Sequence, residues 1–320
     1  MTDANSSDER PASLPVPDPA TAIDLAPAPP AAKRRPPVAI IMLAAALAVV
    51  VGVLVWIILE LRSALDLIDE QSDQISDLNE MIDTRQEFGA AMDGLMATAA
   101  QLDGAPMAEL VPFDDYQIAA DAAWLHRRSP SAVSDYVEIV SAYQASLEVS
   151  LAHADAQRAD NATGTRSERI VDELGGGFAT VSYDNADKLC ETDVIGCVTG
   201  DDPYVIHLDR NDLSHPAVDA WAERLVTLHE FAHVLQFTNP EATDAAADSF
   251  SGDWEYMADC YALNEMNEWT LDHRVWVSAS QYWDTSYGYG KVCGQSQRDV
   301  IDSWLSELGV HYRGISQATT

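Results

Sequence analysis

The sequence predicts an α+β fold that is mostly helical, and three observations carry that reading. Residues 38–59 form one long apolar run without a charge, helical periodicity governs most of residues 60–174, and two short β-branched or aromatic runs follow before helical spacing returns. The implied organisation is a disordered tail over residues 1–37 and a transmembrane helix over 38–59. A helical stalk over 60–103, a helical region over 104–174 and a domain over 175–320 with a small antiparallel sheet complete it.

The tail is rich in Pro, Ala, Ser and Asp, shows no hydrophobic period and ends in Lys33-Arg34-Arg35. The run VAIIMLAAALAVVVGVLVWIIL is long enough to cross a bilayer as a helix. Its near flank is basic, and its far flank carries Glu60, Asp66, Asp69 and Glu70 beside Arg62. That asymmetry places the N-terminus in the cytoplasm and residues 60–320 outside it, as a single-pass protein of the cell membrane. A cleaved signal sequence fits less well, because the apolar run exceeds a usual h-region and no small-x-small site directly follows.

In the stalk, Leu61, Leu65, Ile68, Ile75 and Ile82 alternate at four-three spacing, with Ser72 and Asn79 at the intervening seam positions. That pattern allows a parallel homodimer through a coiled coil, and equally a monomeric amphipathic helix. Between residues 104 and 174 helical spacing continues, broken near Pro106, Pro112, Pro130 and Gly164. Asn161-Ala162-Thr163 matches a glycosylation sequon. The runs FATVSYD and YVIHLD then read as strands, the second as an edge that an extended peptide can join.

The formal net charge is −34 over 320 residues, with lysine only at positions 33, 188 and 291. Nucleic acid is excluded as a partner, because phosphate binding needs clustered Lys and Arg. All four cysteines lie in the C-terminal half, and their even number suits two disulfides in an oxidising compartment. Of the three pairings, Cys190–Cys197 with Cys260–Cys293 is favoured, because the first closes a short local loop.

Residues 229–233 read His-Glu-Phe-Ala-His. On a helix the two histidines stand one turn apart on the same face, where two imidazoles can bind one metal ion. Glu230 is then placed to serve as general base toward a water that the metal activates. A helix start is expected near Ser214 and Pro216, and its end at Asn239-Pro240. A second segment, SGDWEYMADCYAL over residues 251–263, supplies Glu255 and Asp259 four apart on one face, with Ser251 as the expected N-cap. Glu255 is the expected third ligand, since a catalytic zinc takes three protein ligands and one open position. Asp259 is expected to accept a hydrogen bond from the far ring nitrogen of a ligating histidine.

LHEFAHVLQF followed by WEYMADCYAL resembles the gluzincin branch of the zincin metallopeptidases, and in particular bacterial neutral zinc metallopeptidases that pair an H-E-x-G-H-x-x-Q helix with an E-x-x-A-D-C-[YF]-A helix. His229, Glu230, His233 and Gln236 match the first motif; Glu255, Ala258, Asp259, Cys260, Tyr261 and Ala262 match the second. The resemblance spans roughly residues 175–265 and departs from the pattern at Ala232, where the family has Gly. It implies a zincin-like domain and Zn²⁺ held by His229, His233 and Glu255. Glu230 is then the base, Asp259 supports a ligand, and a peptide or protein is the substrate. A donor to the oxyanion is expected from His273, Tyr282, Tyr287 or Tyr289; His126, His153, His207, His215 and His311 have no motif around them. The competing expectations are a non-catalytic scaffold of the cell envelope on the same fold and a zinc amidase acting on cell-wall peptides.

Overall fold

The computed structural model describes residues 38–184, 186–190 and 194–315; the tail expected over residues 1–37 lies outside them. The chain divides into two compact units, residues 1–71 and 72–320. Helix α1 runs without a break from Val38 to Ala99. Its N-terminal part is long and apolar enough to cross a membrane, and none of that stretch is buried. Leu61, Leu65, Ile68, Ile75 and Ile82, the four-three seam of the sequence, are all exposed.

Within residues 72–320 a small core gathers Met92, Leu95 and Ala99 of α1 with Phe113 and Tyr116 of α2 (Phe113–Leu125) and Val140 and Leu147 of α3 (Pro130–Asp160). Ser129 caps α3, accepting from Ala132 N with Pro130 at the first helical position, where its missing N–H costs nothing. Helix α3 ends at Asn161 in the left-handed conformation. The amide oxygen of Asn161 is buried and Thr163 Oγ1 bonds Glu168, so the sequon is folded into the turn that starts α4 (Arg166–Gly175).

The main core surrounds one helix. After α4 the chain forms β1 (Thr180–Asp184), α5 (Ala186–Leu189), β2 (Gly196–Thr199), β3 (Asp202–Asp209) and α6 (Arg210–Leu213). It then forms α7 (Ala220–Thr238), α8 (Pro240–Ala247), α9 (Trp254–Met266), the hairpin β4 (Asp272–Ser278) and β5 (Gln281–Ser286), and α10 (Gln295–Glu307). Helix α7 is the centre: α4, β2, β3 and α9 all pack on it, and it is buried from Leu225 to Thr238 with few exceptions. A helix covered on so many sides buries polar residues as well, among them Thr227, Glu230, His233 and Gln236, and each of these needs a partner.

Three sequence expectations change here. The sheet is not wholly antiparallel: its order is β1-β3-β2, with β1 parallel to β3 and β2 antiparallel to it. Parallel pairing needs a crossover between the strands, and α5 with β2 supplies it. Strand β3, YVIHLD, is therefore the middle strand with both sides paired, and β1 and β2 are the edges. The helix starts also move: Asp219, not Ser214 or Pro216, caps α7, and Asp253, not Ser251, caps α9. In each case a carboxylate accepts from N–H groups of the first turn, and its charge suits the positive end of the helix. Ser251 instead sits at φ 62, ending the short 3-10 turn before α9.

Asn239 ties the ends of these elements together. It accepts from Ala108 N and Gly309 N and donates to Pro106 O and Leu235 O, and it is 3% exposed. Replacing it by alanine strands buried backbone groups on three segments, so Asn239→Ala should cost about 3 kcal/mol. Denaturant unfolding of the detergent-solubilised chain, followed by tryptophan fluorescence, measures this.

Candidate metal centre

Helices α7 and α9 bring the two sequence motifs together. His229 and His233 stand one turn apart with their rings edge to face at 4.9 Å, and Glu255 lies in the first turn of α9 opposite them. His229 Nε2 is 3.0 Å from Glu255 Oε2, His233 Nε2 is 3.2 Å from the same oxygen, and the two Nε2 atoms are 3.2 Å apart. Tetrahedral zinc with ligand bonds near 2.0–2.2 Å sets its donors about 3.4 Å from one another, so the spacing fits.

The hydrogen bonds behind the ligands fix what faces the centre. Gln236 Nε2 donates to Trp254 O, so its amide oxygen is the atom 2.7 Å from His233 Nδ1 and accepts that proton. His229 Nδ1 likewise donates to Asp259 Oδ1 at 2.9 Å. Each imidazole therefore turns its Nε2 atom toward the Glu255 carboxylate, and in the neutral form that atom carries a lone pair. Three potential ligand atoms converge there, an arrangement that a metal ion can satisfy in place of a proton on His229. His229, His233 and Glu255 are the group among the described residues that can hold a metal ion, with one ligand atom from each within 4.8 Å of the others.

The protonation energetics carry the same signature. Burial alone would lower the His229 pKa; the bonds to Asp259 and Glu255 and the charge of Glu230 outweigh it and push it up to about 10. Burial would raise the pKa of Glu255, but the bonds from His229 and His233 hold it well below the usual carboxylate range. Glu230 is 5% exposed, and burial pushes its carboxyl above the ordinary range despite the two nearby imidazoles.

Two glycines make room for this arrangement. At Gly196 on β2 an added Cβ would sit 3.0 Å from Glu230 Cγ and 2.7 Å from Leu208 Cδ2. At Gly288, with φ +66, it would fall 2.4 Å from Asp259 Oδ2. The next residue, Tyr289, donates its backbone N–H to that same oxygen at 2.9 Å. Its ring stacks near His229, and burial together with the neighbouring Glu255 carboxylate pushes its pKa up to about 12.

Of the four expected oxyanion donors, only Tyr289 reaches the ligands. His273 stacks on Trp221 and bonds Asp219, the cap of α7. Tyr287 donates to Ala217 O, and Tyr282 lies exposed on the hairpin under Arg274. The roles of Gln236, Gly196 and Gly288 were not read from the sequence. Gln236 carried a signal, its i+3 spacing from His233; the two glycines act through backbone approach, which leaves no pattern. Cys190 pairs with Cys197 and Cys260 with Cys293, as expected. The first pair lines the cleft over the ligands, and the second ties Cys260, next to Asp259, to the end of the Tyr289 segment.

Comparison with family models, with curated proteins and with solved structures yields no match to this chain. The reading of the centre therefore rests on its own geometry.

Zinc uptake should release the proton that His229 keeps up to a pH of about 10. The sign is that of competition, so apparent affinity should rise about tenfold per pH unit between pH 6 and 8. Titration against a chromogenic chelator at both pH values measures it. By the same assay Asp259→Asn should weaken zinc binding roughly 10–100-fold, because the ligand loses its orienting partner.

Proposed function

We propose that the chain is a membrane-anchored zinc metallopeptidase of the gluzincin type whose peptide-hydrolysing site lies outside the cytoplasmic membrane. One observation carries this reading: the Nε2 atoms of His229 and His233 and the Glu255 carboxylate converge in one cleft with the buried Glu230 carboxyl. A zinc ion held by these three residues supplies a Lewis acid for a peptide carbonyl and acidifies a water molecule. Glu230, buried beside the two histidines, would accept that proton on its carboxylate and return it to the leaving amine. Asp259 and Gln236 keep the histidines in the ligating tautomer. Tyr289, whose hydroxyl lies at Glu255, is the donor for the developing oxyanion.

The unpaired side of β2, rather than β3, is the edge along which an extended substrate can add backbone hydrogen bonds. Two further features support the location. The basic cluster Lys33-Arg34-Arg35 precedes the apolar run and acidic residues follow it, which favours a cytoplasmic N-terminus. Both cysteine pairs lie on the far side of that run, and disulfides persist in oxidising compartments.

The test uses the detergent-solubilised full chain against a peptide library read by mass spectrometry, with zinc measured in parallel. Wild type should hold about one zinc per chain and cleave. Glu230→Gln should keep the zinc and lose about 10²–10⁴-fold in rate, whereas Glu255→Ala should lose the metal itself. A folded wild type without zinc, or cleavage indifferent to Glu230, overturns the assignment.

A further inference from the structure

Two clefts open on either side of Glu230. Both are lined by Val194, Gly196, His229, Glu230 and Tyr289, and they diverge from there. One, of about 300 Å³, runs past Leu225, Val226 and Tyr287 toward Asp259. The other, of about 240 Å³, runs past His233 and Glu255 to Val198, Phe237, Trp254 and the Cys190–Cys197 disulfide. The shared lining holds the proton-transferring carboxyl and a ligand, so a bond reacting there has its two flanking residues directed one into each cleft.

The second cleft is the more sharply defined. Its outer walls are apolar: Phe237 meets Trp254 edge to face at 5.6 Å, and Val198 stands on the edge strand beside the disulfide. No Lys or Arg lines it among the described residues, and its acids are Glu230 and Glu255, both committed to the centre. An anionic side chain entering would lose hydration and meet no counter-charge, and a cationic one would find only the two carboxylates already engaged at the centre. An apolar one gains the area it buries. The volume lies below the roughly 300–1,000 Å³ of pockets for whole small ligands, which suits one side chain attached to a backbone held elsewhere.

We propose that the cleft bounded by Val198, Phe237, Trp254 and the Cys190–Cys197 disulfide is a specificity pocket for an apolar side chain next to the scissile bond. The proposal rests on the metallopeptidase reading and names the substrate class for it: peptides with an uncharged apolar residue at that position. Val198, Phe237 and Trp254 set the preference without touching the reacting atoms.

The probes are the N-acetyl hydroxamates of leucine, aspartate and lysine, which anchor on zinc and report side-chain preference without turnover. They are titrated by calorimetry into the zinc-loaded full chain. The leucine compound should bind at least about tenfold tighter than the other two. In Val198→Arg, with zinc content unchanged, the aspartate compound should gain on leucine by a similar factor. Trp254→Ala serves as the second variant and should lower leucine affinity selectively. Equal affinity for the three compounds, or a preference that neither variant alters, overturns the pocket while leaving the zinc centre standing. A chain that binds no zinc overturns the metallopeptidase reading, and the pocket proposal with it.

Discussion

The packing of α9 on α7 is the constraint on which the rest depends. Ala232 on α7 and Ala258 and Ala262 on α9 are fully buried, as small residues must be where helix backbones approach closely. That approach sets His229 against Asp259 and both imidazoles against Glu255. Asp259, 3% exposed, also needs partners for its second oxygen, and the backbone of Tyr289 provides one. Satisfying one buried carboxylate thus draws a distant segment over the centre, at a glycine that alone leaves room for it. The other wall obeys the same logic, since Gly196 lets the edge strand lie directly on Glu230.

Charge explains why the centre takes this form in so acidic a chain. Glu230, Glu255 and Asp259 place three carboxyls within one small volume, two of them nearly inaccessible to solvent. Three anions there with neutral histidines would be costly to keep from water. The metal-free chain relieves this by keeping a proton on His229 and by raising Glu230. A divalent cation relieves it more fully, because it can meet the two Nε2 atoms and the Glu255 carboxylate at once with Glu230 beside it. The perturbed protonation of the metal-free chain and its capacity for a cation are two expressions of one electrostatic demand.

Much of this was legible because it is written in short periods. The four-residue spacings of His229 with His233 and of Glu255 with Asp259 specify a shared helix face without knowledge of the fold. The apolar run at residues 38–59 needs only a count. Where the reading failed, non-local geometry had decided. Strands β1 and β3 lie parallel because of what the connection between them does, and nothing in either strand records its neighbour's direction. The hairpin β4–β5 escaped notice because its sequence, aromatic and polar on exposed positions, has no clean alternation. The helix starts shifted by a few residues toward aspartates, since several residues in each segment were chemically able to cap and the tertiary path chose among them. Tyr289 was one of four similar candidates; only the fold separates an aromatic over His229 from one on a hairpin.

The segments that would touch a substrate are also those with the least regular structure, and that is where the covalent links fall. Strand β2 has four residues and one paired side; the stretch from Tyr287 to Cys293 belongs to no helix or strand. Neither can bury enough apolar surface to hold its place through packing alone. Cys190–Cys197 spans a sequence separation of 7, and Cys260–Cys293 one of 33. In chain-entropy terms the longer closure restricts the unfolded chain more, and it also pins the Tyr289 segment to the helix that carries Glu255. The shorter closure restricts the unfolded chain less, so its main consequence is local: it fixes one wall of the apolar cleft against β3 through Cys197. The role proposed for this cleft needs walls that do not yield, and beside the four-residue edge strand the wall is covalent.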